Sequence, residues 1–174
     1  MDFFYVSDEY ITFLKQFDST VPNNYGGSRP YIGIVIEIDE IKYYAPLTSP
    51  KPKHCKMKND KDFRRIDGGK LGAINFNNMI PVPDTAIIPI IINDVSDEQY
   101  KRLLQNQYAF IQKDKDAIKR TATNLRSLIL SSPDELTSHE EEIKKRSCNL
   151  PELERAMEEY ISSSKKNREP PTIM

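Results

Sequence analysis

A short segment in the first third of the chain places two hydroxyl side chains beside a cation at the end of a predicted strand. Thr48, Ser49 and Lys51 follow the aromatic and aliphatic run at residues 43–47, and two interspersed prolines end the strand. Hydroxyls can donate hydrogen bonds to phosphate oxygens, and a lysine ammonium can stabilise charge that develops on phosphorus. The residue types therefore predict a phosphate-binding site at this strand end.

The segment that follows is rich in basic residues, which indicates a polyanionic ligand rather than a small metabolite. The candidate contacts are Lys53, His54, Lys56, Lys58, Lys61, Arg64 and Arg65. The chain as a whole has 25 lysine and arginine residues against 26 aspartate and glutamate residues. Because salt screens charges beyond about 8–10 Å, a local basic face can still bind nucleic acid within a nearly neutral protein.

Other chemistries fit the sequence less well. Ser49 lacks the flanking glycines of the Gly-x-Ser-x-Gly elbow, and the Gly68-Gly69 turn lacks the remaining residues of a phosphate-binding P-loop. The histidines and cysteines do not have the spacing of a zinc site, so we expect neither a metal nor a cofactor. His54 stays open as a general base near neutral pH, with an exposed loop histidine as the alternative.

RNA offers a route to cleavage that needs no metal, because its 2′-hydroxyl is an internal nucleophile on the adjacent phosphorus. The protein has to align that hydroxyl, neutralise the developing charge and help protons to move. Tyrosines at strand and loop edges can also stack on splayed bases. The predicted catalytic residues are Thr48, Ser49, Lys51, Tyr10, Tyr25 and Arg29.

The elements that must position these residues are mainly strands in the first half of the chain. Strands are predicted at 2–6, 31–38, 41–47, 63–66, 70–76, 79–82 and 87–92. The pair at 31–47 reads as a hairpin that turns at Asp39-Glu40. A helix capped by Ser7 or Asp8 is expected over 9–17, and residues 48–62 are expected to be irregular.

The second half of the chain is predicted to be mainly helical. Ser96 and Gln99 resemble a capping box before two helices at 100–111 and 118–129, or one long helix with a break between these segments. A further helix is expected at 150–161. The resulting class is α+β, with one domain at 1–165 and a frayed polar tail at 166–174. The chain has no signal peptide pattern and no apolar run long enough to span a membrane, so we expect a cytoplasmic protein that does not bind membranes.

Several ordered segments of the chain resemble a known family of bacterial toxins. The most specific is residues 44–51, Tyr-Ala-Pro-Leu-Thr-Ser-Pro-Lys. The others are residues 10–22, 31–35, 71–75, 79–81, 100–102 with Gln107, 110–111 and 125–126. Together they cover most of residues 3–130. At these positions the sequence is similar to the toxins of type III toxin–antitoxin systems, the ToxN/AbiQ endoribonucleases of bacterial phage defence.

The resemblance implies a fold, an activity and a partner. The implied fold is a compact, highly twisted antiparallel sheet with surrounding helices, like that of MazF/Kid-type toxins. The implied activity is sequence-specific, metal-independent cleavage of cellular or phage RNA by 2′-hydroxyl attack, which leaves a 2′,3′-cyclic phosphate and a 5′-hydroxyl. The implied partner is a repeated antitoxin RNA, folded as a pseudoknot, that inhibits the toxin within a cyclic protein–RNA hetero-oligomer.

The resemblance also implies a site. It places Thr48, Ser49 and Lys51 on the second hairpin strand, with Tyr10 and Tyr25 nearby. The chain has an arginine, at position 29, where some relatives have a lysine before the first hairpin strand. An arginine holds a phosphate firmly but does not readily give up a proton, so this position is expected to stabilise charge.

Two alternatives from other functional classes remain open at this point. The chain could be a non-catalytic RNA-binding module that uses the same basic groove and leaves the RNA intact. It could also be a structural or interaction protein in which the hydroxyl-rich strand end is only a turn, a common use of serine and threonine.

Overall fold

The computed structural model describes residues 1–166, which form a seven-stranded antiparallel sheet with helices on both faces. The strands are β1 (Asp2–Val6), β2 (Tyr31–Ile38), β3 (Ile41–Thr48), β4 (Phe63–Arg65), β5 (Ala73–Asn75), β6 (Ile80–Pro81) and β7 (Ile87–Pro89). The α-helices of this part are α1 (Asp8–Leu14), α2 (Pro52–Lys56), α3 (Glu98–Lys113), α4 (Lys115–Leu130), α5 (Ser138–Arg146) and α6 (Leu150–Lys166). None of the helices in residues 1–166 is both long enough and apolar enough to cross a lipid bilayer.

The hairpin of β2 and β3 forms the middle of the sheet. The strand order is β4-β5-β3-β2-β1-β7, every pairing is antiparallel, and the short β6 pairs with β3 outside this path. Asp39 and Glu40 turn the hairpin with φ angles of 51° and 65°, as a tight two-residue turn requires. The hairpin predicted from the sequence is therefore confirmed, and it delivers the end of β3 to the functional cleft described below.

Side chains of β3 alternate between the two faces of the sheet, and helices pack on each face. On one face, Tyr43 and Leu47 of β3 lie in a core with the buried sides of α3 and α4. On the other face, Tyr44 of β3 lies in a second core with α1 and α6. β3 is therefore packed on both faces, and its residues Tyr43 to Leu47 are buried.

The structure corrects several predicted elements in the first half. Residues 48–62 were expected to be irregular but contain α2, and the strands predicted at 70–76 and 79–82 shorten to β5 and β6. Each of these two strands pairs with β3, and they do not pair with each other. The strand predicted at 87–92 is confirmed as a short edge strand, β7, beside β1.

Helix ends also differ from the prediction. The cap of α3 is Asp97, whose carboxylate accepts from the backbone N–H groups of Gln99 and Tyr100 at 2.9 Å, rather than Ser96. Helix α5 was not predicted, and α6 continues past residue 161 to Lys166. The predicted frayed tail at 166–174 lies outside the described residues apart from Lys166.

Candidate active site

The end of β3 carries the two hydroxyls predicted to bind phosphate. Thr48 is the last residue of the strand and is half-buried, while Ser49 is exposed. Gly72 lies against this end with φ +92°, and a Cβ built there would be 2.0 Å from the Thr48 carbonyl oxygen. Only glycine allows the two backbone segments to approach this closely. The turn that leads into β5 therefore fixes the position of the strand end.

Helix α2 follows at once and brings a histidine back to the strand end. Lys51 is the residue before the helix, and Pro52 opens it, a position where the missing N–H of proline costs nothing. His54 is 2% exposed, and its Nε2 lies 3.4 Å from Thr48 Oγ1. Its Nδ1 is buried without a hydrogen-bond partner in the described part of the chain.

The environment of His54 favours the neutral imidazole. Burial lowers its pKa below the ordinary value, and the nearby charges of Lys53 and Lys51 lower the pKa further. A neutral ring carries one N–H and one acceptor nitrogen, so Nε2 can accept the hydroxyl proton of Thr48. The structure therefore corrects the exposed loop histidine to a buried histidine beside the predicted site.

The loop before β2 supplies Tyr25 and Arg29. Asp8 and Asn24 anchor this loop: Asn24 Nδ2 donates to Asp8 Oδ1 at 2.8 Å, and Gly27 N donates to the same oxygen at 2.9 Å. The Arg29 guanidinium lies 5.0 Å from the centre of the Tyr25 ring, a cation–π contact, while Tyr25 itself is 70% exposed. The contact with Arg29 thus holds the exposed ring at the cleft.

The opposite wall comes from residues far away in the sequence. Arg146, at the end of α5, donates from Nε and Nη2 to the two carboxylate oxygens of Asp62 at 2.6 and 2.9 Å. Asp62 is buried, but the Arg146 side chain is 48% exposed, so its guanidinium borders the cleft. Asn77 donates to the Arg146 carbonyl oxygen at 3.4 Å and joins this wall to the turn after β5.

These parts surround one open cleft of about 660 Å³. It is lined by Tyr25, Ser28, Arg29, Pro30, Leu47, Thr48, Ser49, Lys51, Lys53, His54, Met57, Asp62, Phe63, Asn75, Asn77 and Arg146. Among residues 1–166, the only carboxylate in this lining, Asp62, is paired with Arg146. The cleft therefore presents hydroxyls, amides and cations, a set that suits a phosphodiester backbone.

The cleft brings together Thr48, Ser49, Lys51, Tyr25 and Arg29 among the residues predicted to be catalytic. Tyr10 does not join them. Its ring is fully buried against Tyr160, and its hydroxyl donates to the Pro81 carbonyl oxygen at 2.8 Å. Burial also raises its pKa well above the ordinary tyrosine value. Because its side chain is fully buried and its hydroxyl is already bonded, we assign Tyr10 to the core between α1 and α6.

The predicted basic run divides into three groups. Lys53 and His54 line the cleft, whereas Lys56 and Lys58 are exposed outside its lining. The last three members are held elsewhere: Lys61 pairs with Glu140 at 2.5 Å, Arg64 donates to Asp114 at 2.7 Å, and Arg65 donates to the Cys55 carbonyl oxygen at 3.2 Å. The run therefore does not form one continuous surface along the cleft.

Sequence reasoning missed the far wall and the supports of the site. Arg146 and Asp62 are separated by 84 residues, and no local pattern connects them. Asn75 and Gly72 fall within the segment at 71–75 that resembles the toxin family, which was the available signal for that side of the cleft. Within residues 1–166, no group of three or more His, Cys, Asp or Glu side chains is arranged to hold a metal ion.

Comparison with known proteins places this chain in a family. Residues 2–158 match the sequence model of the toxin ToxN of type III toxin–antitoxin systems. The chain belongs to the ToxN family. A curated ToxN relative, the endoribonuclease ToxN of Pectobacterium atrosepticum, is 37% identical over an alignment of 140 residues. The match covers 75% of this chain and 82% of the relative.

Solved structures share the ToxN-family fold with this chain. One is the structure of a toxin studied for selective inhibition by a non-coding RNA pseudoknot in bacterial type III toxin–antitoxin systems. It is 29% identical with a TM-score of 0.79, and the match covers 91% of this chain and 96% of the other chain. Another is AbiQ, a lactococcal anti-phage endoribonuclease of a type III system. It is 25% identical, also with a TM-score of 0.79, and covers 92% of this chain and 98% of its own.

Proposed function

We propose that this ToxN-family chain is an endoribonuclease toxin of a type III toxin–antitoxin system. The observation that carries the proposal is the convergence of Thr48, Ser49, Lys51 and His54 at one strand end, in a cleft whose free charges are cationic. Relatives with the same fold are named endoribonucleases ToxN and AbiQ, which supports RNA as the substrate. The substrates in the cell are cellular or phage RNAs.

Cleavage starts when the 2′-hydroxyl of the RNA attacks the adjacent phosphorus. The 2′-oxygen–phosphorus bond forms, the 5′-oxygen–phosphorus bond breaks, and the products are a 2′,3′-cyclic phosphate and a 5′-hydroxyl. Lys51 and Arg29 stabilise the charge on the phosphorane oxygens, and Ser49 donates to a non-bridging oxygen. Arg29 acts through charge alone, because arginine does not release its proton at physiological pH.

The protons move through groups close to the strand end. Neutral His54 accepts from the Thr48 hydroxyl, whose oxygen is then free to accept the proton of the attacking 2′-hydroxyl. The leaving 5′-oxygen takes a proton from Lys51 or from solvent in the open cleft. The pKa of His54, held low by burial and by the two lysines, matches a group that must be neutral before the reaction begins.

Paired lysine variants test the proposal. Lys51→Ala removes a cleft cation, whereas Lys56→Ala removes an exposed cation of α2 outside the cleft lining. We expect Lys51→Ala to slow cleavage of a mixed single-stranded RNA by at least about 100-fold, the usual effect of removing one charge-stabilising group. Lys56→Ala is expected to stay within about twofold of the unmodified protein. Tight RNA binding without cleavage by the unmodified protein would instead favour a non-catalytic RNA-binding module.

The inhibitor that we propose is a repeated antitoxin RNA folded as a pseudoknot. The support is the structurally similar toxin studied for inhibition by a non-coding RNA pseudoknot. We further propose that toxin and RNA close into a cyclic hetero-oligomer. Expression of the chain should arrest bacterial growth, and co-expression of the cognate repeat RNA should restore it; growth arrest that the RNA does not relieve would contradict this partner.

Three finer proposals accompany the function. The twisted sheet is of the MazF/Kid type, which superposition on such a toxin would test. Residues 1–165 act as one domain, since both cores join strands of the first half to helices of the second half, and a single unfolding transition is expected. The protein acts in the cytoplasm, where its RNA substrates are, and cell fractionation would test that location.

A further inference from the structure

A smaller cavity adjoins the strand end that carries Thr48 and Ser49. Its volume is about 250 Å³, below the range of about 300–1,000 Å³ that holds drug-sized ligands. Besides the strand end, its walls include Tyr5 of β1 and three residues of α3: Tyr100, Leu103 and Gln107. The mechanism proposed above uses none of these four residues.

The spacing of the α3 residues makes them one wall. Positions 100, 103 and 107 follow the i, i+3, i+7 repeat that places side chains on one face of a helix. Tyr5 faces them from β1, and burial together with the neighbouring Tyr5 hydroxyl holds the pKa of Tyr100 above its ordinary value. The Tyr100 phenol therefore stays neutral, and the rings of Tyr5 and Tyr100 offer flat apolar surface inside a small pocket.

Gln107 adds a fixed polar group to this wall. It is 2% exposed, and its Nε2 donates to the Leu71 carbonyl oxygen at 2.8 Å. This bond sets the orientation of the amide, and the carbonyl oxygen on its other arm is an acceptor. Because this fixed amide lines the cavity, its carbonyl oxygen can serve as a recognition group at the edge of the aromatic pocket.

We propose that this cavity binds one nucleobase next to the scissile phosphate, stacked on the Tyr5 and Tyr100 rings and read by Gln107. The inference rests on the proposed function, because the strand end shared by the two cavities is where that function places the phosphate. A carbonyl acceptor favours a base with an exocyclic amine, adenine or cytosine, over uracil, which presents a carbonyl there. The cavity thus supplies base preference, while the larger cleft supplies the chemistry.

Binding of RNA analogues that lack the nucleophile tests the pocket separately from cleavage. The probes are fluorescein-labelled 2′-fluoro oligonucleotides of A, C or U, and the readout is fluorescence anisotropy. We expect the unmodified protein to bind the A and C probes about 2- to 10-fold more tightly than U, the value of one hydrogen bond. Tyr100→Leu is expected to weaken binding of the A and C probes by about 5- to 150-fold, the value of one stacked base, while Tyr100→Phe keeps the ring and the affinity.

Variants of two glutamines on the same helix separate recognition from folding. Gln107→Leu should abolish the preference for A and C over U, whereas Gln105→Leu, at an exposed position of α3 outside the cavity, should keep it. Thermal melts establish that each variant is folded, and Tyr5→Leu replaces Tyr100→Leu if the latter does not fold. Equal binding of all three probes by the unmodified protein, or a preference that survives Gln107→Leu, would overturn the proposal.

The outcome for the pocket and the outcome for the enzyme are distinguishable. Base-selective binding that Gln107→Leu removes, in a protein that cuts no RNA, would support the pocket and refute the proposed function. Cleavage that depends on Lys51, in a protein that binds the three probes equally and keeps its affinity in Tyr100→Leu, would support the function and refute the pocket.

Discussion

Replacing Gly72 with alanine should damage the site through the backbone rather than through a lost functional group. A Cβ at this position would lie 2.0 Å from the Thr48 carbonyl oxygen, and the neighbour is backbone that cannot swing aside. The residue also has φ +92°, where side chains are disfavoured. The end of β3 must therefore move, and Thr48 moves with it.

Gly68 provides the matched control in the same turn region. It has φ +62°, but no atom lies within 4 Å of a Cβ built there. Gly68→Ala should cost only the left-handed backbone penalty, about 1–2 kcal/mol of unfolding free energy. Gly72→Ala adds overpacking of about 1–3 kcal/mol, for a total of about 2–5 kcal/mol. Urea denaturation measures both values.

Cleavage assays at a temperature where both variants are folded then isolate the effect on the site. A displacement on the order of 1 Å can cost about 100-fold in rate, so Gly72→Ala should be about 100-fold slower than the unmodified protein. Gly68→Ala should cut at nearly the normal rate. Full cleavage by folded Gly72→Ala would refute the reasoning that the strand end positions the reacting groups.

Three further predictions concern single side chains. Tyr10→Phe removes the hydrogen bond to Pro81 and should cost about 1 kcal/mol of stability while cleavage stays unchanged; a large loss of rate would return Tyr10 to the site. Because the pKa of His54 is lowered on folding, the unfolded chain binds its proton more readily, so unfolding free energy should fall as the pH drops below about 6.5. Cleavage by the unmodified protein should decline only at lower pH, where His54 of the folded chain is protonated. His54→Asn should cleave more slowly and should not show that decline. If the pH profile of His54→Asn matches that of the unmodified protein, His54 is excluded as the proton acceptor. Arg146→Ala leaves the buried Asp62 carboxylate without its partner, and because Arg146 is half-exposed we expect a loss of about 1–3 kcal/mol, or about 2–12 °C in Tm. Adding Asp62→Asn to that variant should recover part of the loss, and no recovery would contradict the pairing.

The parts of the fold and site that depend on local sequence could be predicted. The hairpin follows from β-branched and aromatic strands around Asp39-Glu40, and Thr48, Ser49, Lys51 and His54 share the cleft because they are close in the chain. Helix α2 was missed because it is short and polar, with a single buried residue. Helix α5 was missed for the same reason, although the capping box of Thr137 and Glu140 marked its start.

The parts that depend on tertiary packing could not be predicted. Tyr10 was placed in the site because a tyrosine suits RNA chemistry, but only the fold shows that its hydroxyl is buried and bonded to Pro81. In the same way, the ion pairs of Lys61 and Arg64 with helices of the second half divide a basic run that is continuous in sequence. Residue type indicates what a side chain can do, while its burial and partners decide what it is free to do.

The nature of the nucleophile tests the central claim most directly. The position of the cut is first mapped on an unmodified RNA in EDTA, and the same RNA is then made with a single 2′-O-methyl group on the nucleotide 5′ to that cut. Attack by the 2′-hydroxyl predicts a 2′,3′-cyclic phosphate and a 5′-hydroxyl on the unmodified RNA, and no cleavage at the methylated position. Cleavage of the methylated RNA at that position, or ends that carry a 3′-hydroxyl and a 5′-phosphate, would contradict the account.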